Sequence, residues 1–216
     1  SSIYHDVIKD RLYTDPANSN RRRSTQTALH RLVIGLCQML SPILAFTADE
    51  GWEFVPGKNV NSVHESKFKQ SNFALSEQET NQWKKLFKLR EEVLAEIEKQ
   101  RQSKILGKAL EGIVFVRFSG EELELVRSNS NLLKELLNSS AIEIEEGKGK
   151  SETHSGKLQV EVETDRRIMV RHAQGFGCQK CERCWHWETD IGQNAEHPTI
   201  CGRCTKAVLE FQAQAR

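Results

Sequence analysis

The chain has 216 residues, and its 31 Lys and Arg against 30 Asp and Glu leave a net charge of +1. So even a balance excludes the global basic field of a protein that grips nucleic acid by bulk electrostatics, while the length suffices for a sizeable core in one or two domains. No apolar run reaches the length of a membrane span or signal segment, and cysteines at metal-ligand spacing suit a reducing compartment; starting at Ser1-Ser2 without Met, the chain reads as a cytoplasmic fragment.

Residues 1–20 carry a short helical pattern (Ile3, Val7, Ile8, Leu12) ending at Asp15-Pro16. A second helix is expected from Arg21 or Ser24, with Leu29, Leu32, Val33, Leu36, Leu40, Ile43 and Leu44 at helical spacing and Pro42 kinking or ending it. Cys37 in this run reads as an ordinary core thiol. Thr47-Ala48-Asp49-Glu50 has the form of a capping box and predicts a short helix carrying Trp52 and Phe54, stopped by Pro56-Gly57. Between residues 58 and 75 the periodicity lapses, which predicts an ordered loop with Val63 and Phe68 turned inward.

Ser76-Glu77-Gln78-Glu79 is a second capping box. Trp83, Leu86, Phe87, Val93, Leu94 and Ile97 then share one face of a helix of roughly 27 residues, about 40 Å long at 1.5 Å per residue. Its charged opposite face reads as solvated surface. After Gly107 the period changes. Residues 113–118 are strand-like, residues 123–137 read as one or two helices, and residues 141–145 and 158–162 alternate as strands. Ile168, Val170 and His172 suggest one more, and residues 147–152 form a turn without a phosphate-cradling pattern.

The tail holds the strongest motif. Cys181-Glu182-Arg183-Cys184 and Cys201-Gly202-Arg203-Cys204 are two Cys-x-x-Cys pairs with 16 residues between them, a spacing that suits one tetrahedral Zn²⁺. Four protein ligands leave no open position, so such an ion is structural and activates no water. Cys178-Gln179-Lys180-Cys181 is an overlapping third pair. Cys181 and Cys184 are the expected ligands, because the Arg183-Cys184-Trp185 run gives them a knuckle with an adjoining aromatic, whereas Cys178 follows the Gly-rich Gly175 and Gly177; Cys178 remains the alternative. Residues 166–216 carry eight Lys and Arg against five Asp and Glu, and the formal −2 of a zinc tetrathiolate leaves that tail only slightly positive.

Two blocks resemble one family. Ile8-Lys9-Asp10-Arg11-Leu12-Tyr13-Thr14, Arg22-Arg23-Ser24-Thr25-Gln26-Thr27-Ala28-Leu29 and the run from Leu40-Ser41-Pro42 to Gly51-Trp52-Glu53 look like the helical anticodon-binding domain of bacterial-type isoleucyl-tRNA synthetases. Lys180-Cys181-Glu182-Arg183-Cys184-Trp185 and Cys201-Gly202-Arg203-Cys204 look like that family's C-terminal zinc domain. Lys104-Ile105-Leu106-Gly107-Lys108-Ala109-Leu110-Glu111-Gly112 is similar to its junction, with Leu106 inserted and Ala109 and Gly112 in place of Ser and Ala.

The resemblance implies a mainly α protein: an anticodon-binding helical bundle (residues 1–74), a long connecting helix and junction (75–111), a small α/β domain (112–172) and a zinc-binding tail held by four cysteines (173–216). It implies the tRNA-reading part of an enzyme that joins isoleucine to its tRNA using ATP, monomeric, partnered by the catalytic and editing domains and lacking their motifs here. Single-stranded anticodon bases are captured by stacking and edge hydrogen bonds. Arg183, Trp185, His186, Trp187 and Arg203 offer suitable groups beside the metal, and Arg21, Arg22 and Arg23 could hold phosphates. Two other readings are a DNA-repair glycosylase fragment, whose C-terminal finger has similar spacing, and a structural zinc module for protein contacts.

Overall fold

The computed structural model describes residues 2–68, 74–147 and 166–214. Helix α1 (Ser2–Tyr13) stops just before Asp15-Pro16, where the residue preceding a proline is pushed out of helical geometry. Helix α2 (Asn20–Leu40) starts on Ser19, whose extended backbone and hydroxyl, accepting from Arg22 N at 3.2 Å, make a side-chain cap. Pro42 ends α2 and does not kink it. Helix α3 (Ala45–Glu53) begins ahead of the expected capping box and has no side-chain cap, so Thr47 caps nothing. The Asp49 carboxylate is taken instead by Ser62 Oγ at 2.7 Å and Val63 N at 2.9 Å, which fasten a 3₁₀ turn (Val63–Glu65) to the helix. Cys37, Ala48, Trp52, Val55 and Val63 form the small core between these pieces. Phe68, expected inside, is 61 % exposed.

Helix α4 (Glu77–Gln102) follows the sequence expectation closely, with both halves of the Ser76/Glu79 capping box formed. It lies across a three-stranded sheet of order β2-β1-β3. Strands β1 (Gly112–Phe118) and β2 (Ala141–Glu146) are parallel, joined through helices α5 (Gly120–Ser128) and α6 (Ser130–Leu137); β3 (Arg167–His172) runs antiparallel to β1. The expected strand at 158–162 and most of the 147–152 turn lie outside the described residues.

Central strand β1 is buried on both faces, and this decides where the tail sits. Val114, Val116 and Phe118 meet Leu86, Leu89, Val93 and Ile97 of α4 together with the leucines of α5 and α6. Ile113 and Phe115 point the other way, against Ala173, Cys178 and Trp187. The tail, with strands β4 (Gln179–Lys180) and β5 (Trp187–Glu188) and helix α7 (Gly202–Gln214), therefore packs on the sheet face that α4 leaves free. Among the described residues no helix is long and apolar enough to cross a membrane.

Candidate metal centre and its surroundings

The two knuckles are built by backbone. Cys181 N donates to His186 O at 2.8 Å and Trp185 N to Cys181 O at 2.9 Å, closing the first turn; Thr205 N donates to Cys201 O at 2.9 Å as α7 opens from the second. Cys201 N also points at Cys181 Sγ, 3.4 Å away, tying one knuckle to the other. Gly202 N donates to Asp190 Oδ2 at 2.8 Å; a Cβ on Gly202 would sit 2.8 Å from that same oxygen, so any side chain there would push the Asp190 carboxylate off the amide.

Cys181, Cys184, Cys201 and Cys204 are all buried, with their sulfur atoms within 4.8 Å of one another. A tetrahedron with bonds of about 2.3 Å has edges of about 3.8 Å. Cys184 Sγ and Cys201 Sγ stand 3.8 Å apart. The donor set therefore fits a single structural zinc. The packed thiols also perturb one another: hydrogen bonds from Cys184 and Cys204 pull Cys201 down to about 4, while Cys184 and Cys201 push Cys204 up. Sulfur atoms this close cannot all ionise without a cation among them. Cys178 is outside the cluster. It lies in the apolar layer behind β1 with Ile113 and Ala173, and burial raises its thiol.

The residues singled out around the knuckles separate into two groups. Arg203 makes a bidentate pair with Asp10 (Nη1 to Oδ2 2.5 Å, Nη2 to Oδ1 2.7 Å). Arg183 donates to the last carbonyls of the α1 segment, Thr14 O at 2.6 Å and Tyr13 O at 3.3 Å, where the helix dipole favours a cation. The His186 ring is buried, with Nε2 3.7 Å from Asp10 Oδ1, and burial lowers its pKa against the pull of that carboxylate. Trp187 is half-buried edge-on to His172 at 4.9 Å, and its backbone N donates to Ser140 Oγ at 2.7 Å. These four side chains are held by contacts within the fold.

Arg21 belongs with them. It donates to Asp15 through Nε at 2.6 Å and through Nη2, to Glu135 Oε1 at 2.6 Å and to Asp10 Oδ2 at 3.1 Å. Arg11 pairs with Glu135 as well, Nε to Oε2 at 2.7 Å. Three guanidinium groups (Arg11, Arg21, Arg203) thus face three carboxylates (Asp10, Asp15, Glu135), a charge-balanced cluster joining α1, α2, α6 and the second knuckle. Arg22 is half-buried and donates to Asp15 O at 3.1 Å. The sequence carries no periodic signal for this cluster, since Asp10 and Arg203 are separated by 193 positions.

Trp185 and Arg23 face outward. The Trp185 ring is 57 % exposed and its backbone is left-handed, φ +66°, a region that a bulky residue rarely enters. Arg23 is exposed and, among the described residues, its side chain reaches only Gln26 Oε1 at 3.3 Å.

Comparison with known proteins places this geometry. Residues 1–116 match the family model described as the anticodon-binding domain of tRNA ligase, and residues 179–207 match the zinc finger found in FPG and IleRS. The chain is 37 % identical over 208 residues to an isoleucine–tRNA ligase of Dichelobacter nodosus, covering 95 % of the chain and 20 % of the relative. Similar proteins of the same name from Erwinia tasmaniensis (38 % over 210 residues) and Glaesserella parasuis (39 % over 213 residues) each align with 96 % of the chain and 22 % of their own length. The chain thus spans about a fifth of the length of these curated relatives.

Proposed function

The chain belongs to the family of anticodon-binding domains of tRNA ligases, and from that premise we propose that it is the tRNA-reading region of an isoleucine–tRNA ligase. The whole protein would attach isoleucine to its tRNA using ATP in the cytoplasm. This region would supply recognition of the anticodon stem-loop and, as a monomer, no chemistry, since its metal site is closed. The proposed division follows the sequence: 1–74 for the helical unit, 75–111 for the connecting helix and junction, 112–172 for the α/β unit, and 173–216 for the zinc unit. Cys181, Cys184, Cys201 and Cys204 hold the zinc. A finger shared with FPG fits the glycosylase reading too, but the anticodon-domain match over residues 1–116 supports the ligase.

The observation that carries the reading is Trp185. Its neighbours Arg183, His186 and Trp187 turn inward to hold the tail, and Trp185 alone of the four presents a mostly exposed ring, met only by the mobile ends of two lysines among the described residues, for an unpaired base. Arg23, which among the described residues has no carboxylate partner, is the arginine of the Arg21-Arg22-Arg23 run that faces outward for a phosphate. The rest of the ligase has its own surface. Leu36 and Met39 on α2, Ile43 in the turn after it and Phe46 at the start of α3 are exposed apolar side chains, Phe46 at 93 %, which we assign to contact with the part of the enzyme that relatives carry beyond the matched fifth.

Trp185→Ala tests the reading. The variant should keep its zinc and bind a synthetic anticodon stem-loop of isoleucine tRNA less tightly by ~1–3 kcal/mol, the usual worth of one base–aromatic stack, with a smaller effect on a non-cognate loop. Unchanged affinity for both loops at full zinc occupancy would leave a structural zinc module as the better description.

A further inference from the structure

Two lysines from distant parts of the chain meet at Trp185. Lys108 Nζ lies 5.6 Å from the ring centroid and Lys180 Nζ 6.0 Å, the outer limit of cation–π contact. Both backbones are fixed. Lys108 follows Gly107 in the turn after α4, where the Glu111 carboxylate accepts Gly107 N at 2.6 Å and Lys108 N at 3.2 Å. Lys180 is in β4, paired opposite Trp187 of β5. Both side chains are exposed, and among the described residues neither ammonium has a carboxylate within 4.0 Å. Glu111, the acid facing this corner, accepts from those two backbone groups and lies 3.9 Å from His172. Burial raises its pKa, but those two bonds, His172 and the Lys180 charge at longer range together outweigh burial and lower it.

Two cations that, among the described residues, have no carboxylate in ion-pair contact converge on one exposed aromatic ring and repel each other, and at this range the ring returns only ~0.5–1 kcal/mol to each. An anion between them removes the repulsion. The anion must also tolerate the indole, and a phosphodiester next to a stacked base does so: the base takes the ring face over which the two ammonium groups now stand, and its flanking phosphates draw those groups out to the rim. Lysine suits this task as a mobile point charge that follows a flexible backbone. We propose that Lys108 and Lys180 form a paired phosphate grip on the single-stranded RNA whose base stacks on Trp185, a subsite for the two phosphodiesters flanking that base. The proposal rests on the reading of Trp185 as a stacking platform. It adds a role for the junction, through Lys108, in holding RNA at the zinc unit.

The test uses the zinc-loaded chain with Lys108→Gln, Lys180→Gln and the double variant, and Trp185→Ala in parallel, against a synthetic anticodon stem-loop RNA at about 50 and 200 mM salt. A phosphate contact on a single strand adds about 0.7 to the slope of log affinity against log salt, so each one is worth ~2.6-fold over that fourfold range. Each single variant should flatten the dependence by that factor and the double variant by ~7-fold, with cognate and non-cognate loops affected alike. Lysine-to-arginine variants should restore the wild-type slope, which a merely structural role would not require. Wild-type salt dependence in the double variant, with Trp185→Ala still weakening binding, overturns the grip and leaves the stacking reading standing. Loss of effect in Trp185→Ala overturns both. A flattened slope that persists when Trp185 is already Ala places the lysines on phosphates remote from the ring and also overturns the grip.

Discussion

Replacing Asp10 by Asn removes the charge that joins the second zinc knuckle to the helical unit. The side chain keeps its size but can no longer accept two charged bonds from Arg203 or balance Arg21. Breaking a buried ion pair from one side costs ~3–5 kcal/mol, and an exposed pair is worth at most about 1. With Asp10 18 % and Arg203 36 % exposed, the cost here is set between these, ~2–3 kcal/mol. For a chain of this size that lowers the thermal midpoint by roughly 5–10 °C. Arg203→Gln and the double variant complete a cycle in which the pair should show a coupling of at least ~1.5 kcal/mol. The effect also has a pH signature. Burial raises the Asp10 carboxyl, but Arg203, Thr14 and His186 outweigh it and hold it below the usual carboxylate range. A group with a depressed folded pKa gives its stability above the unfolded value, near 4, and loses it as pH falls through the lower folded value. The gap between wild type and Asp10→Asn should therefore be flat from about pH 8 to 5 and close below about pH 4. Additive single variants, or a gap that widens on acidification, would refute the latch.

Chelation of zinc should unfold the tail, because ~10–16 kcal/mol of apparent zinc binding exceeds what so small a core supplies, and should lower the midpoint of the remainder by about as much as Asp10→Asn does, since Arg183 and Arg203 leave α1 together. Metal analysis should find zinc lost in Cys181→Ser and Cys204→Ser and retained in Cys178→Ser; the opposite pattern would transfer the first ligand to Cys178. Gly202→Ala should displace Asp190, break its bond to the Gly202 amide and weaken zinc binding in a chelator competition by ~10-fold or more, the worth of one hydrogen bond to a charged group.

What the sequence disclosed depended on the range of each interaction. The Ser76/Glu79 box was legible because both partners lie within one helical turn. Thr47 and Glu50 have the same form and fail, because Asp49 between them finds Ser62 and Val63 across the loop, and the helix has already begun at Ala45. The four-cysteine cluster was legible from spacing alone. Choosing between the overlapping pairs turns on β1, whose second buried face needs an apolar cover that Cys178 helps to provide. The roles of Arg21, Arg183, Arg203 and His186 were not legible: a guanidinium bound for a carboxylate 193 positions away reads in sequence like one bound for a phosphate.

The left-handed backbone of Trp185 supplies the last prediction. A non-glycine residue at φ +66° costs ~1–2 kcal/mol, and such strain persists only where the surroundings over-determine it. Here they do: Cys184 is fixed in the cluster, His186 is buried against Asp10, and its carbonyl accepts from Cys181 N. Between those anchors the chain turns left, and the ring stands free of the knuckle. Trp185→Gly and Trp185→Ala remove the ring equally and should weaken stem-loop binding equally. They should differ in stability, because glycine adopts positive φ without the penalty and alanine does not, leaving the Gly variant more stable by about 1 kcal/mol despite its greater chain entropy. Denaturant midpoints of the two zinc-loaded variants decide it. If Ala is the more stable, the turn relaxes in solution, and the exposure of Trp185 has another cause than a backbone held left-handed by its neighbours.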